Sequence, residues 1–142
     1  MTDAPQRAAS ALGKGGCYVL CILKLAERLT GRLLDPLLEF VDAITRGRVD
    51  GTAFVWQAGA LLSDFTGGTW EVLKAGDGVD SAGRAYDLPL SYVAQAGELE
   101  IDRYEVEGAP GHFVLTDWDP WGESRAVREG RLVSKRIFRR VS

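Results

Sequence analysis

The residue types that together cleave an amide through a thiol occur in this chain sparingly and in order. Cys17 follows Gly15-Gly16 and opens an apolar, helix-forming run, Cys17-Tyr18-Val19-Leu20-Cys21-Ile22-Leu23-Lys24-Leu25-Ala26-Glu27. A thiol at a helix N-terminus lies in that end's partial positive charge, which favours thiolate, the nucleophilic form. The single histidine, His112, stands in Gly111-His112-Phe113-Val114-Leu115-Thr116. That stretch predicts a strand with His112, Val114 and Thr116 on one face and Phe113 and Leu115 on the other. Gly111 is expected to leave the approach to the ring uncrowded. Asp117 and Asp119 follow at once. An imidazole at about 3 Å takes a thiol's proton as general base, and an acid on its other nitrogen fixes the tautomer. Both aspartates can fill that last role, although Asp119-Pro120 also opens a turn in which an aspartate bonds its own backbone.

The elements that must position these residues come in two groups. The first helix is expected from about Cys17 to Leu29, apolar on most sides, with Thr30-Gly31 ending it. Cys21, one turn inside, reads as core. Asp35-Pro36 opens a second helix, with Asp as N-cap and Pro at the first helical position, and Gly47 stops it. After a turn at Val49-Asp50-Gly51, a third helix is expected from Ala53 to Asp64, closed by Thr66-Gly67-Gly68. The period then becomes alternating. Strands are expected at Thr69–Lys74, at Glu98–Glu107 (half-exposed), at His112 and at Leu132–Arg139, with a Gly/Asp/Ser-rich loop over Ala75–Asp87 and a turn at Asp119-Pro120-Trp121-Gly122. Trp118 and Trp121 beside that turn are a wall for substrate or a lid on a small core, and Trp56 and Trp70 read as core. Helices first and an antiparallel sheet second indicate one α+β domain over residues 1–142, with the helices packed on one face of the sheet. Residues 1–13 read as loose, with a short helical turn around Gln6–Leu12.

The totals exclude several function classes. The 142 residues are 46% hydrophobic and 26% charged, ordinary for a globular protein. A net charge of -3 gives no general reason to expect nucleic acid. The cluster Lys135, Arg136, Arg139 and Arg140 reads as a solvated strand face or tail. Two cysteines four residues apart close no useful disulfide loop, and no Cys/His set has metal-ligand spacing. Reduced thiols, a polar N-terminal stretch without a signal-peptide core and no apolar run near 20 residues give a cytoplasmic expectation, with no membrane partner.

Gly16-Cys17-Tyr18 at a helix start, His112-Phe113-Val114 on a strand and then Asp119-Pro120 resemble the papain-like cysteine peptidase superfamily, nearest its bacteriocin-processing, double-glycine peptidase branch. The tail Asp119-Pro120-Trp121-Gly122-Glu123-Ser124-Arg125, with Val127, Gly130, Leu132 and Ser134-Lys135-Arg136-Ile137-Phe138, is similar to a family of small phage- and spirochaete-associated proteins of the same layout. That second resemblance spans most of the chain. The resemblance implies a papain-like fold, Cys17 as nucleophile, His112 as general base and Asp119 as orienting acid, with no cofactor or metal. Two departures stand out. Such peptidases carry an oxyanion-holding glutamine about half a dozen residues before the cysteine; here Ser10-Ala11 stands there, and Gln6 lies eleven residues upstream of Cys17. Six residues separate His112 from Asp119, where relatives have a full hairpin. The expected function is a thiol hydrolase, peptidase or amidase, acting on a peptide or another amide through an acyl-enzyme. The alternative is a catalytically inactive papain-fold module for binding or assembly in a phage or mobile-element setting, in which Glu98–Glu107 and the basic last strand offer surfaces to a partner or a second copy.

Overall fold

A computed structural model describes residues 16–49, 57–109, 111–122 and 124–141. The helical turn expected at Gln6–Leu12, the turn at Val49-Asp50-Gly51 beyond Val49, and Trp56 lie outside them. The chain divides into two compact units, residues 1–69 and 70–142.

The first unit is helical. α1 spans Cys17–Thr30, α2 Pro36–Thr45 and α3 Ala58–Thr66. α1 starts where the glycines end, with Gly16 as N-cap, and stops at Gly31 in the left-handed conformation (φ 71°), which costs a residue without Cβ nothing. Its buried residues, Val19, Cys21, Ile22, Leu23, Leu25 and Ala26 among them, occupy more than one stripe, and α1 packs against both α2 and α3. α2 begins as its Asp35-Pro36 signal predicts: the Asp35 carboxylate accepts from the Leu37 and Leu38 N–H groups. α3 begins at Ala58, and of its expected earlier stretch only Gln57, its N-cap, is described. Arg48 grips Asp64 of α3 with two nitrogens, at 3.0 and 3.1 Å.

The second unit is a four-stranded antiparallel sheet, β1 Trp70–Ala75, β2 Leu99–Glu105, β3 His112–Val114 and β4 Arg131–Arg140, in the order β1-β4-β2-β3. The α+β class is therefore as expected. Glu98–Glu107 and the basic last strand, expected to offer surfaces to a partner or a second copy, form β2 and β4, the two interior strands, and the sheet's edges are β1 and β3. The basic residues of β4 form a solvated face only in part: Arg140 is exposed, Arg136 and Arg139 are half-buried, and all are engaged. Lys135 is buried and donates to the Tyr92 carbonyl at 2.6 Å, Arg139 donates to Glu98 at 2.7 Å, and the Arg136 and Arg140 guanidiniums lie over the Phe113 and Trp70 rings. Charge alone could not announce this, because each cation's partner comes from a distant stretch of chain.

One element has no counterpart in the sequence reading. α4, Arg125–Glu129, is a single turn capped by Ser124, whose hydroxyl accepts from the Val127 N–H. It lies against β2 and β4. Gly130 lets it, because a Cβ there would sit 2.2 Å from the Glu105 carbonyl oxygen.

Candidate functional site

β3 is short but places its side chains as alternation demands. His112 and Val114 are buried, and Phe113 between them lies on the other face. The chain then reverses at once. Leu115 and Trp118 bond each other's backbone, with Thr116 and Asp117 at the tip of a tight turn. Asp119 is thereby carried back beside the histidine. A second turn, closed by the Gly122 N–H on the Asp119 carbonyl at 3.0 Å, folds Trp121 over the ring. Gly122 takes a positive φ of 77° to make it.

The geometry distinguishes the two aspartates. His112 Nε2 lies 2.7 Å from Asp119 Oδ1, while Asp117 stays on the exposed turn. The six-residue connection is long enough, because a two-residue turn needs no hairpin strands beyond Leu115 and Trp118. Asp119 is held in place by more than the ring. Its Oδ1 also accepts from the Trp121 N–H at 2.8 Å and its Oδ2 from the Ser124 N–H at 3.2 Å. Burial pushes this carboxyl up, but hydrogen bonds from Ser124, His112 and Trp121 outweigh burial, and it stays below the usual carboxylate range. An ionised carboxylate only accepts, so the proton of the neutral imidazole sits on Nε2 and the lone pair on Nδ1. That Nδ1 is buried and has no hydrogen-bond partner among the described residues.

Trp121 stacks on the imidazole with ring centroids 4.1 Å apart and planes 17° from parallel. His112 is 1% exposed and Trp121 42%. The indole thus covers one ring face and keeps water off it. Trp121, one of the two tryptophans flagged beside the turn, thus touches the histidine. A Cβ at Gly111 would meet the Arg103 guanidinium, so the glycine makes room for that side chain.

Cys17 belongs to the helical unit, as the first residue of α1, and is 4% exposed. Neither Cys17 nor Cys21 is in a disulfide. Position 17 is where the first-turn N–H groups of a helix, which have no intrahelical acceptor, can stabilise an anion. Ser10, in the place of the expected oxyanion-holding glutamine, and Gln6 lie outside the described residues. Among the described residues no group of three His, Cys, Asp or Glu side chains could hold a metal ion. No described helix is long and apolar enough to cross a membrane.

One acid escaped the sequence reading. Asp102 of β2 is 6% exposed, and burial lifts its carboxyl to about 8, helped by a hydrogen bond with Glu100 and that group's charge, against the opposing pull of Lys135. Its signal was present but ambiguous, since an alternating strand with charges on one face reads as half-solvated.

Comparison of the chain with family models, with curated proteins and with solved structures returned no match.

Proposed function

We propose that the protein is a thiol hydrolase of papain-like type, a peptidase or amidase in which Cys17 is the nucleophile, His112 the general base and Asp119 the orienting acid. The observation that carries this reading is the His112–Asp119 pair. Its buried ring is fixed on Nε2 by an ionised carboxylate, and its Nδ1 has no described hydrogen-bond partner. A merely structural histidine is normally bonded at both nitrogens when buried. A base must keep one nitrogen open for the incoming proton.

In the proposed reaction His112 Nδ1 takes the Cys17 proton as the sulfur attacks an amide carbonyl. The C–O π pair moves to oxygen, and the oxyanion is held by the α1 N-terminal N–H groups. The tetrahedral species expels the amine, which receives the proton from His112. Water, deprotonated by the same ring, then cleaves the thioester and restores the thiol. Asp119 holds the tautomer and stabilises the transient imidazolium throughout.

A second reading, a binding module without turnover, is favoured by Ser10-Ala11 in the place of the expected upstream glutamine. Incubation with a p-nitrophenyl ester and measurement of intact mass separates the two. The hydrolase reading predicts an acyl adduct on Cys17 that decays with release of acid and is absent in Cys17→Ala. Equal ester turnover by wild type and Cys17→Ala, or a Cys17 adduct that never clears, supports the second.

A further inference from the structure

One face of the sheet, opposite the one that carries His112, gathers cations. Lys74 of β1 stands directly across from Arg136 of β4, Ser134 of β4 across from Arg103 of β2, and Arg103 across from Phe113 of β3. Cross-strand partners project from the same face of a sheet. Glu105, two residues on from Arg103, brings its partner Arg131 to that face as well. Beside these strands the 77–90 segment encloses a recess of about 440 Å³, formed wholly within the sheet unit. The strands contribute four cations to its lining, Lys74, Arg103, Arg131 and Arg136, against one carboxylate, Glu105. The segment adds Asp77, Asp80 and Tyr86. The volume is that of a site for a small organic ligand.

The cations are not matched from within the recess. Lys74 and Arg136 are like charges in directly opposed positions, which destabilises a strand pair. Each carboxylate has other work. Glu105 is taken by Arg103. Asp80 accepts from the Ala82 and Arg84 N–H groups, both at 2.9 Å, and its second oxygen stays 3.8 Å from Lys74 Nζ, longer than a hydrogen bond. Asp77 accepts from the Leu90 N–H at 3.4 Å. Arg131 is exposed and has no ion-pair partner among the described residues. Arg136 is held in place, with its guanidinium over the Phe113 ring and on the Ser134 hydroxyl at 3.1 Å. Ser134 is 3% exposed, and accepting that bond leaves its own O–H to donate. Tyr86 is also fixed, because its ring lies over Gly76, where a Cβ would come within 2.5 Å of it. The recess therefore presents positioned donors in excess of acceptors. A phosphate, doubly charged and with three terminal oxygens, answers two guanidinium forks and an ammonium at once, where a carboxylate brings a single charge and two oxygens.

We infer that this recess binds a phosphate group, free or in a small monoester, with its oxygens on Lys74, Arg131 and Arg136 and the organic part of a monoester beside Tyr86. The inference concerns the sheet unit alone and stands whether or not Cys17 turns over. An anion there relieves the repulsion between Lys74 and Arg136, so binding stabilises the fold. The attraction is between partly exposed charges and weakens with salt.

The test is calorimetric titration of the full chain with sodium phosphate and with adenosine 5′-monophosphate, at about 0.05 M and about 0.25 M sodium chloride. Adenosine serves as the uncharged control. The expected result is binding of at least one phosphate compound with a Kd of about 1 mM or tighter, weakened several-fold at the higher salt, and no binding of adenosine. Equal affinity for the two assigns the site to the phosphate alone. Tighter binding of the nucleotide assigns it to monoesters, and tighter binding of inorganic phosphate to the free ion. Lys74→Glu should weaken binding at least tenfold. Arg131→Glu should do the same and, being at an exposed position, keeps the test open should Lys74→Glu fail to fold. The inference is overturned by adenosine binding as tightly as its monophosphate, by unchanged affinity in a folded Lys74→Glu or in Arg131→Glu, or by absence of binding of both phosphate compounds at the lower salt.

Discussion

Among the described residues of the helical unit the buried side chains are aliphatic, aromatic or thiol, from Cys17 and Ile22 through Phe40 to Leu61 and Leu62. In the sheet unit the interior also holds Asp102, His112, Ser134 and Lys135, the buried polar and charged residues among those described. An apolar interior holds its shape by volume and is indifferent to pH. A polar interior holds its shape only while each group keeps its partner and its protonation state. In the proposed reaction the helical unit would supply the thiol and the sheet unit the groups that move protons. The sheet unit should carry nearly all the pH dependence of the molecule.

The largest effect expected from breaking this division is at Asp119. In Asp119→Ala the ring loses the acceptor that sets its tautomer, and the proposed hydrolysis should fall on the order of 10²–10⁴-fold. Turnover within a factor of about three of wild type would remove Asp119 from the mechanism. A parallel melting curve reports the separate loss of its bonds to the Trp121 and Ser124 N–H groups. Next in size is a cavity in the apolar unit. Phe40 is 1% exposed, and Phe40→Ala should cost about 3–5 kcal/mol in denaturant titrations, by the same amount at pH 5 and pH 8. A pH-dependent cost would break the contrast between the units.

The smallest effect tests the polar unit itself. The Asp102 carboxyl is raised in the fold from 3.8 to about 8, so the native state holds a proton that the unfolded chain has lost. Its stabilising effect is complete below about pH 4 and diminishes through the window from there to about pH 8. Glu98 acts in the opposite sense. The Tyr92 hydroxyl, the Gln95 N–H and Arg139 hold it down at about 2, so its contribution is present above the ordinary Glu range and is lost as pH falls towards 2. Urea unfolding across pH 4–9 should show stability declining with pH in wild type and a flatter profile in Asp102→Asn. A wild-type profile that rises between pH 5 and pH 8 would contradict the assignment.

Much of this was legible in the residues, and the exceptions share a cause. Asp35-Pro36 and Gly31 state their own local geometry, so α1 and α2 follow from sequence. His112 on a strand follows from alternation. α4 was missed because five residues give no period to read and Ser124 alone is a weak cap signal. Asp102 and Lys135 were read as exposed because a charged register on an alternating strand normally faces water. Here the 86–98 loop and the neighbouring strands supply partners that no local window contains. The choice of Asp119 over Asp117 depended on a two-residue turn, which sequence left open.

The account's central claim is that the ring held by Asp119 acts on Cys17. It is tested most directly by the rate of iodoacetamide alkylation of Cys17 from pH 5 to pH 9, in wild type and in His112→Asn, with Cys17 followed by peptide mass. The account predicts a rate at pH 6 well above that of an ordinary exposed thiol and a loss of that excess in His112→Asn. Alkylation no faster than an ordinary thiol at pH 6, and unchanged in His112→Asn, would contradict it.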